Sequence, residues 1–262
     1  MISSWQIFTV LACWLAFVSC SAGGSEPSYK SRKLSKWLAL YQKADPNSPE
    51  EARARNAVQA IGTNAIPTLM RMLTSEDLET QEAAKHGFEI LGSAAAPAVP
   101  ALASLLTGTN KVARYCAAEA LAGIGAPALP ALMAGLTNRS FAIGTDSALG
   151  IAQLGTVAEP AIPIFLSDLQ NPNHFYRERA ADALGKLHLQ PDIVVPALTN
   201  LLNDPTNAVR WIAINSLGQF GPAARSAVPA LMPYLTNSDF DVAAKNALRK
   251  IAPEVLTNVP SR

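Results

Sequence analysis

Apolar positions along the body of the chain recur with the 3.6-residue period of a helix, and the whole pattern returns every 30–33 residues. Six prolines mark this recurrence: Pro67, Pro100, Pro130, Pro163, Pro196 and Pro229. Two and six residues after each proline lies an apolar pair, such as Leu231 and Leu235, which places both on one helix face. Because proline loses little in a first helical turn, each marker predicts the start of a helix. Pro233 falls inside the last of these helices and predicts a kink there.

A second helix follows in each repeat, as "AVRWIAINSLGQFG" (208–221) illustrates. Ala213 and Ser216 are small and Leu217 and Phe220 are large, at the i, i+3, i+4 and i+7 positions of one face. The corresponding residues elsewhere are Ala84, Gly87, Phe88 and Leu91; Ala117, Ala120, Leu121 and Ile124; and Ala180, Ala183, Leu184 and Leu187. Small residues allow close helix approach, and no unit buries its apolar faces alone. The pattern predicts an all-α fold of the α-solenoid type.

Residues that follow the second helices predict where those helices end. Ile61, Leu91, Ile124, Leu154, Leu187, Phe220 and Ile251 close the helical patterns. Glycine comes next after all but Leu187 and Ile251, and it tolerates the positive φ of a helix C-terminus. After Leu187 the glycine is replaced by His188.

Three segments resemble the HEAT repeat family, in its short HEAT-like form with the pattern V-R-x-x-A-A-x-A-L-G-x-I-G. They are "ARYCAAEALAGIG" (113–125), "YRERAADALGKLH" (176–188) and "VRWIAINSLGQFG" (209–221). The resemblance covers roughly residues 50–256 and also extends to the HEAT-like units of phycobilin lyases. It implies stacked antiparallel helix pairs. It does not define a function, because this fold hosts scaffolds, lyases and hydroxylases.

The first twenty residues contain no Asp, Glu, Lys or Arg, and their apolar centre spans only 7–18. This length is short for a bilayer span of about 20 residues but typical of a secretory signal. The ending "FVSC" resembles a bacterial lipobox, which implies lipidation of Cys20. The alternatives are cleavage after Ala22, giving a soluble secreted protein, and an uncleaved anchor. We therefore expect export to the periplasm or cell envelope, with membrane attachment only through the N-terminus.

The predicted organisation has five parts. Residues 1–20 form a signal peptide, 21–28 a flexible tether, 29–47 an N-terminal capping helix, 48–256 an array of six to seven HEAT-like units, and 257–262 a tail. Leu34, Trp37, Leu38 and Tyr41 share one face of the capping helix. The last helix, rich in lysine, arginine and asparagine, is expected to form the polar C-terminal cap.

The charge of the chain argues against nucleic acid as a partner. Only 16% of residues are charged, the formal net charge is +1, and the one short basic run, "KSRKLSK" (30–36), is typical of a solvated helix start. Of three cysteines only Cys116 lies in the body, which excludes a disulfide there and favours a small packing role.

Arg114, Arg177 and Arg210 hold the same repeat position and could form a basic ladder for an anionic ligand. The resemblance implies a structural role instead, because in HEAT-like repeats this arginine bonds an aspartate about six residues earlier and ties adjacent units. Asp204 precedes Arg210 by six residues, and Asn171 precedes Arg177 by six. We favour the structural interpretation.

The outward face of the second helices is the candidate binding surface, since it usually lines the concave side of HEAT arrays. It carries Glu82, Tyr115, Glu178 and Trp211 in one line and His86, Glu119, Asp182 and Asn215 one turn on. Tyrosine and tryptophan are enriched at binding hot spots, so we expect a mildly acidic protein-binding groove. The alternative is a solvated face with its aromatics packed along neighbouring helices.

Motifs for catalysis or metal binding are missing from the sequence. His86, His174 and His188 are not followed by glutamate, unlike the iron-binding His-Glu pairs of HEAT-like hydroxylases. No G-x-S-x-G or P-loop motif occurs. We expect no catalytic residue, metal or cofactor, and predict a non-enzymatic, protein-binding scaffold of the bacterial cell envelope. The alternatives are a lyase-like or chaperone-like accessory acting on a bound cofactor, and a structural spacer.

Overall fold

The computed structural model describes residues 25–257, which fold into helices joined by short turns and 3-10 segments. A small antiparallel hairpin, β1 (Ser28–Tyr29) and β2 (Arg32–Lys33), comes first. The α-helices are α1 (Leu34–Lys43), α2 (Pro49–Ile61), α3 (Ile66–Leu73), α4 (Leu78–Leu91), α5 (Val99–Leu106), α6 (Lys111–Ile124), α7 (Leu129–Leu136), α8 (Phe141–Ala152), α9 (Ile162–Asp168), α10 (His174–Leu187), α11 (Pro191–Asn200), α12 (Asn207–Gln219), α13 (Val228–Leu231) and α14 (Asp241–Ile251).

The chain divides into two compact units, residues 1–98 and 99–262. In the described part of the first unit, α1 packs on α2 and α3 on α4. In the second unit five pairs follow: α5/α6, α7/α8, α9/α10, α11/α12 and α13/α14. Within this unit the second helices α6, α8, α10, α12 and α14 also pack on one another in chain order. The predicted all-α solenoid fold is confirmed.

Helix boundaries follow the local signals in the sequence. Each marker proline lies in the first turn of its helix except Pro196, which lies inside α11 because that helix already starts at Pro191. The five glycines that follow Ile61, Leu91, Ile124, Leu154 and Phe220 have φ between +53° and +84°. His188, which replaces glycine after α10, also adopts the left-handed conformation, with φ +38°.

The predicted core positions of the second helices are all buried in α4, α6, α10 and α12. Small residues bring α10 and α12 together: a Cβ at Gly185 would lie 2.6 Å from the Cβ of Ser216. The Ser216 hydroxyl itself donates to the carbonyl of Ala181 at 2.8 Å. The small positions thus serve close approach, as the sequence pattern indicates.

Proline inside the first helix of the last pair coincides with a change of helix type, where the sequence predicts a kink. The α-helix α13 stops at Leu231, and the chain continues as a 3-10 segment, Met232–Thr236, that contains Pro233. Leu235 is consequently only half-buried, whereas the equivalent apolar residues of the earlier first helices are buried.

The described end of the predicted tether makes hydrogen bonds to the start of α1, and Ser28 lies in β1. The flexibility of the tether stays a prediction. The Ser35 amide donates to Oε1 of Glu26 at 2.5 Å, and the Leu34 amide donates to the carbonyl of Pro27 at 2.9 Å. These amides open α1 and have no acceptor within the helix, so the preceding residues supply one. The predicted capping helix is α1, which begins at Leu34 and forms one helix pair with α2.

Several predicted segments lie outside the described residues: the signal peptide with Cys20, the first part of the tether and most of the tail. The proposed boundaries of these segments stay predictions.

One helical stretch of the described chain, 78–106, is long and apolar enough to cross a membrane by length and composition, with a mean hydropathy of 1.4. It is not one continuous α-helix, because it contains Gly92 at φ +53° and the 3-10 segment Gly92–Ala98. The stretch therefore consists of the successive repeat helices α4 and α5.

Candidate functional site

The predicted binding residues of the first unit lie on α4 and make local contacts. Glu82 is exposed and accepts from Nζ of Lys85 at 2.6 Å. His86 is half-buried, with Nδ1 3.3 Å from Oε2 of Glu89 and its ring 5.4 Å from the ring of Tyr41. Burial raises the pKa of Tyr41, and the nearby Arg55 charge offsets part of that rise.

In the second unit both predicted aromatic residues are exposed, Tyr115 on α6 at 38% and Trp211 on α12 at 51%. The Tyr115 hydroxyl donates to Oε1 of Glu119 at 3.0 Å, and Nε2 of Gln153 donates to the same oxygen at 3.3 Å. These bonds hold Tyr115 and Glu119 in place across α6 and the end of α8.

The remaining predicted residues lie on α10 and α12. Asp182 accepts from Nζ of Lys186 at 2.8 Å, and both side chains are largely exposed. Glu178 has Oε1 4.0 Å from Nε2 of His174. The Asn215 amide donates to the carbonyl of Trp211 at 2.8 Å, within its own helix.

A cavity of about 320 Å³ opens among α6, α8 and α10. It is lined by Tyr115, Thr145, Asp146, Ala148, Leu149, Ala152, Arg179, Asp182 and Ala183. The structure thus brings together two of the predicted binding residues, Tyr115 and Asp182, around one depression. Glu178, Trp211 and Asn215 lie outside its lining, and so does Glu119, which is bonded to Tyr115.

The contribution of α8 was missed from the sequence although the repeat spacing contains it. Thr145 is 30 residues after Tyr115 and 33 before Glu178, and Leu149 has the same relation to Glu119 and Asp182. Leu149 is therefore an apolar residue at a position that is polar on the neighbouring second helices. The two further side chains that sequence reasoning missed, Asp146 and Arg179, depend on contacts between helices.

Arg179 is buried beside this cavity, with 9% of its surface exposed. It donates through NH2 to Asp168, and its guanidinium lies 4.6 Å from the ring of Tyr176 and 5.6 Å from that of Phe141. Its Nε and NH1 are buried without a hydrogen-bond partner. A Cβ at Gly144, which holds the repeat position of Arg114 and Arg177, would collide with this guanidinium. Arg179 therefore fills space that Gly144 leaves open.

The arginines at this repeat position make both local bonds and bonds between units. Arg177 and Arg210 each donate to the main-chain carbonyl of the residue six positions earlier, Asn171 and Asp204, as predicted. The carboxylate partners were not predicted and lie in the following unit. Nε and NH2 of Arg177 donate to the carboxylate of Asp204, at 2.7 and 2.9 Å, in the following pair. Arg210 donates to the main-chain carbonyl of Asp204 and to Asn207. Arg114 likewise pairs with Asp146 on the next second helix. The carboxylate of Asp204 therefore binds Arg177 of the preceding unit, while its main-chain carbonyl binds Arg210 of its own unit.

Asp204 is buried in this network. Burial would raise the pKa of its carboxyl, but the hydrogen bonds from Arg177 and the Thr206 amide, together with the Arg177 charge, outweigh it and hold the pKa below its usual value. The bidentate geometry is typical of strong arginine–carboxylate pairs.

The side chains on this face are of the kinds that bind a ligand. Among residues 25–257, no group of three or more His, Cys, Asp or Glu side chains is placed to hold a metal ion. The cavity lining combines four apolar side chains with polar and charged ones, a combination typical of ligand-binding pockets. Cys116 is buried within α6, in agreement with the predicted packing role.

The architecture places the chain in the class of helical-repeat solenoids. The family model described as HEAT repeats matches residues 162–252. The model described as PBS lyase HEAT-like repeat matches residues 113–138, which include most of α6. Both matches support the HEAT repeat family. The search of curated proteins found no match.

Solved structures of similar fold include karyopherins. Kap121p bound to the SUMO protease Ulp1p aligns with a TM-score of 0.54 and 16% identity, over 84% of this chain and 29% of that one. Kap95p, from a structure with RanGDP, aligns with a TM-score of 0.53 and 13% identity, over 92% and 38%. Importin beta aligns with a TM-score of 0.53 and 14% identity, over 87% and 36%. The chain thus spans about a third of these proteins' length, and the likeness agrees with the solenoid fold.

Proposed function

We propose that this chain is a non-enzymatic scaffold that binds another protein along the outward face of its second helices. The observation that carries the proposal is the preformed cavity on that face beside the exposed Tyr115. Exposed aromatics next to a depression are typical of binding hot spots. Because regular helices hold the surface in place, binding would require little ordering of this protein.

Proteins of similar fold support the kind of partner. Kap121p is bound to a SUMO protease in its structure and Kap95p binds RanGDP, so solenoids of this fold class carry protein partners. From the shared fold we infer for this chain only the general mode of binding, in which a helical-repeat surface recognises a protein.

A crosslinked pull-down from native envelopes tests the proposal, with the mature protein as bait. We expect wild type to capture a partner that the Tyr115→Ala, Trp211→Ala double variant retains at a tenth or less, because both exposed aromatics are removed. The matched control is Ile193→Ala, which removes a half-exposed apolar side chain from the first helix α11. Equal capture by all three proteins would show that the partner does not use this face.

We also propose that the protein is exported and held at the cell envelope by a lipid on Cys20. The uncharged apolar segment and the "FVSC" sequence before residue 21 support this location. Mass spectrometry of the mature N-terminal peptide tests it. We expect a diacylated Cys20, whereas an N-terminus at Gly23 would indicate a soluble secreted protein and an intact Met1 an uncleaved anchor.

A second candidate function rests on the PBS lyase HEAT-like match over residues 113–138. An accessory protein of this type would bind a cofactor and act on it together with a partner. The two candidates differ in what is purified with the chain: the accessory protein would carry a small molecule, visible by absorbance or native mass spectrometry, whereas the scaffold would carry only protein.

A further inference from the structure

We infer that the cavity among α6, α8 and α10 receives one large apolar side chain from a linear segment of the partner, and that this segment carries a lysine or arginine close to that side chain. The inference rests on the proposed function and specifies the chemistry of the partner at one site.

The size and walls of the cavity favour a single apolar side chain. Its volume of about 320 Å³ lies at the lower end of ligand pockets, which span about 300–1,000 Å³. Ala148, Leu149, Ala152 and Ala183 form an apolar wall from α8 and α10. Three of these four are alanines, so the depression exists because small side chains occupy positions between two helices. An aromatic or large aliphatic residue would gain burial there, since each aromatic buries about 150–250 Å².

The mouth of the cavity is fixed by hydrogen bonds. Tyr115 lines it and is held through Glu119, which also binds Gln153 just after the end of α8. A pocket whose walls are helical and whose rim is bonded in place does not have to form when a ligand arrives. Such preorganisation concentrates binding energy in one anchoring side chain.

The charges around the cavity favour a cation beside that anchor. Asp182 lines the pocket and more than half of its side chain is exposed. Glu119 adds a second carboxylate next to Tyr115. Asp146 also lines the pocket, but its carboxylate is paired with Arg114. The carboxylate in the lining that an incoming segment meets is therefore that of Asp182, and Glu119 lies outside the lining, bonded to Tyr115.

The cation in the lining does not cancel this charge at the surface. Arg179 pairs with Asp168 and packs over two aromatic rings, and its two unpartnered nitrogens are enclosed. Lys186 is exposed and pairs with Asp182, but an exposed pair of this kind contributes little and exchanges readily. A lysine or arginine of the partner can replace Lys186 as the ion-pair partner of Asp182.

The alternative ligand is an acidic segment, which would form its ion pair with Arg179 rather than with Asp182. It would have to reach nitrogens that Gly144, Phe141 and Tyr176 enclose. The open geometry of Asp182 and the enclosed geometry of Arg179 favour the basic segment.

Selection of random linear peptides on phage, with the full chain as bait, tests the inference. We expect enriched peptides to share one large apolar residue with a lysine or arginine within about four positions, and a synthetic representative to bind in fluorescence polarisation. Ala152→Leu fills the cavity and is expected to weaken that peptide at least tenfold. Ala134→Leu, the same change at an exposed position on α7, is the matched control and is expected to leave binding unchanged.

Two charge variants test the cation separately. Asp182→Lys is expected to weaken the peptide about tenfold and to reduce its salt dependence, because the attracting carboxylate is replaced by a like charge. Lys186→Ala is expected to tighten binding by about twofold to threefold, because it frees the Asp182 carboxylate. The opposite signs distinguish recognition from general destabilisation, and circular dichroism verifies that each variant is folded.

Three results would overturn the inference: enriched peptides that bind Ala152→Leu as tightly as wild type, enriched peptides that are acidic, or no peptide that binds more tightly than about 100 µM. If the envelope partner is nevertheless captured through Tyr115 and Trp211, the scaffold proposal stands and only the chemistry of this pocket is wrong. If that capture also fails, the proposed function fails with it.

Discussion

At the scale of single residues, Asp204 links two adjacent helix pairs. Its carboxylate accepts two hydrogen bonds from Arg177, and one of its oxygens also accepts from the Thr206 amide at 2.8 Å. Its main-chain carbonyl accepts from Arg210. One loop residue therefore satisfies arginines of two successive units while being almost fully buried. Removing its charge would leave the Arg177 guanidinium without its strongest partner.

Asp204→Asn is expected to lower the free energy of unfolding by about 1.5–3 kcal/mol at pH 7, the range for hydrogen bonds to charged groups. The pKa of Asp204 is depressed in the folded chain, so its stabilisation is present above the unfolded pKa of about 3.9 and is lost as the pH falls through the folded value. The difference between variant and wild type should therefore shrink below about pH 4 in urea unfolding. Asp239→Asn, at an exposed loop position, is the control, and a difference independent of pH would contradict the ion-pair account.

His188 and Gly221 make a second residue-scale prediction, because both have positive φ after a second helix. A side chain in that conformation is disfavoured by about 1 kcal/mol, partly offset by the greater freedom of glycine in the unfolded chain. His188→Gly should therefore stabilise the protein by about 0.5 kcal/mol, and Gly221→Ala should destabilise it by about 1 kcal/mol. Thermal and urea unfolding of the two variants measure both signs. If both substitutions changed the stability in the same direction, side-chain contacts rather than φ would determine their effects.

At the scale of helices, the close approach of α10 and α12 depends on Gly185. A Cβ at this position would lie 2.6 Å from Cβ and Oγ of Ser216 and 2.8 Å from its Cα. Main-chain and Cβ atoms cannot move aside as a flexible side-chain end can, so the helices would have to separate. In the neighbouring pairing, Arg179 fills the space above Gly144 instead, so two glycines on second helices serve two different kinds of packing.

Gly185→Ala is expected to destabilise the protein by about 2 kcal/mol although alanine favours helix by about 1 kcal/mol, because overpacking outweighs propensity. Adding Ser216→Gly should recover at least half of the loss, since it removes the clashing Cβ, whereas adding Ser216→Ala should not. Urea unfolding of the single and double variants gives the coupling energy directly. Equal behaviour of the two double variants would place the strain elsewhere.

At the scale of the whole molecule, the second unit is a series of helix pairs in which each second helix packs mainly on its chain neighbours. Stability in such an array is close to a sum of nearest-neighbour terms, rather than the property of one central core. Cys116 is buried in the first pair of this unit, several pairs away from the last one. The accessibility of its thiol therefore measures whether the first pair stays folded.

Deleting residues 228–262, which removes the last pair, should therefore lower the unfolding midpoint but leave Cys116 protected. We expect its alkylation rate in native buffer to stay within about threefold of wild type, because the lost contacts lie on α12. Peptide-level mass spectrometry after iodoacetamide treatment separates Cys116 from the N-terminal cysteines. An increase of tenfold or more would indicate a single cooperative core in the second unit.

The sequence by itself determined the helices, their boundaries and their buried faces. The small and large positions from Ala84 to Phe220, the glycines at helix ends and the end of the α-helix before Pro233 all depend on interactions within a few residues. Periodicity records such local requirements directly. The outward position of Tyr115 and Trp211 follows from the same period. The helix face that carries the candidate site was therefore predictable from the sequence.

Only the tertiary structure decided which of those surfaces meet. It gave the Asp204 carboxylate to Arg177 and only the Asp204 main-chain carbonyl to Arg210. It also bonded Glu26 and Pro27 to the start of α1 and opened a cavity beside Leu149 and Arg179. These features depend on distances between residues about 10 to 70 positions apart, and repeat spacing gives the register of a helix but not the shape of the space between two helices. The cavity exists because alanines of α8 and α10 leave that space unfilled, which becomes visible only when both helices are in place.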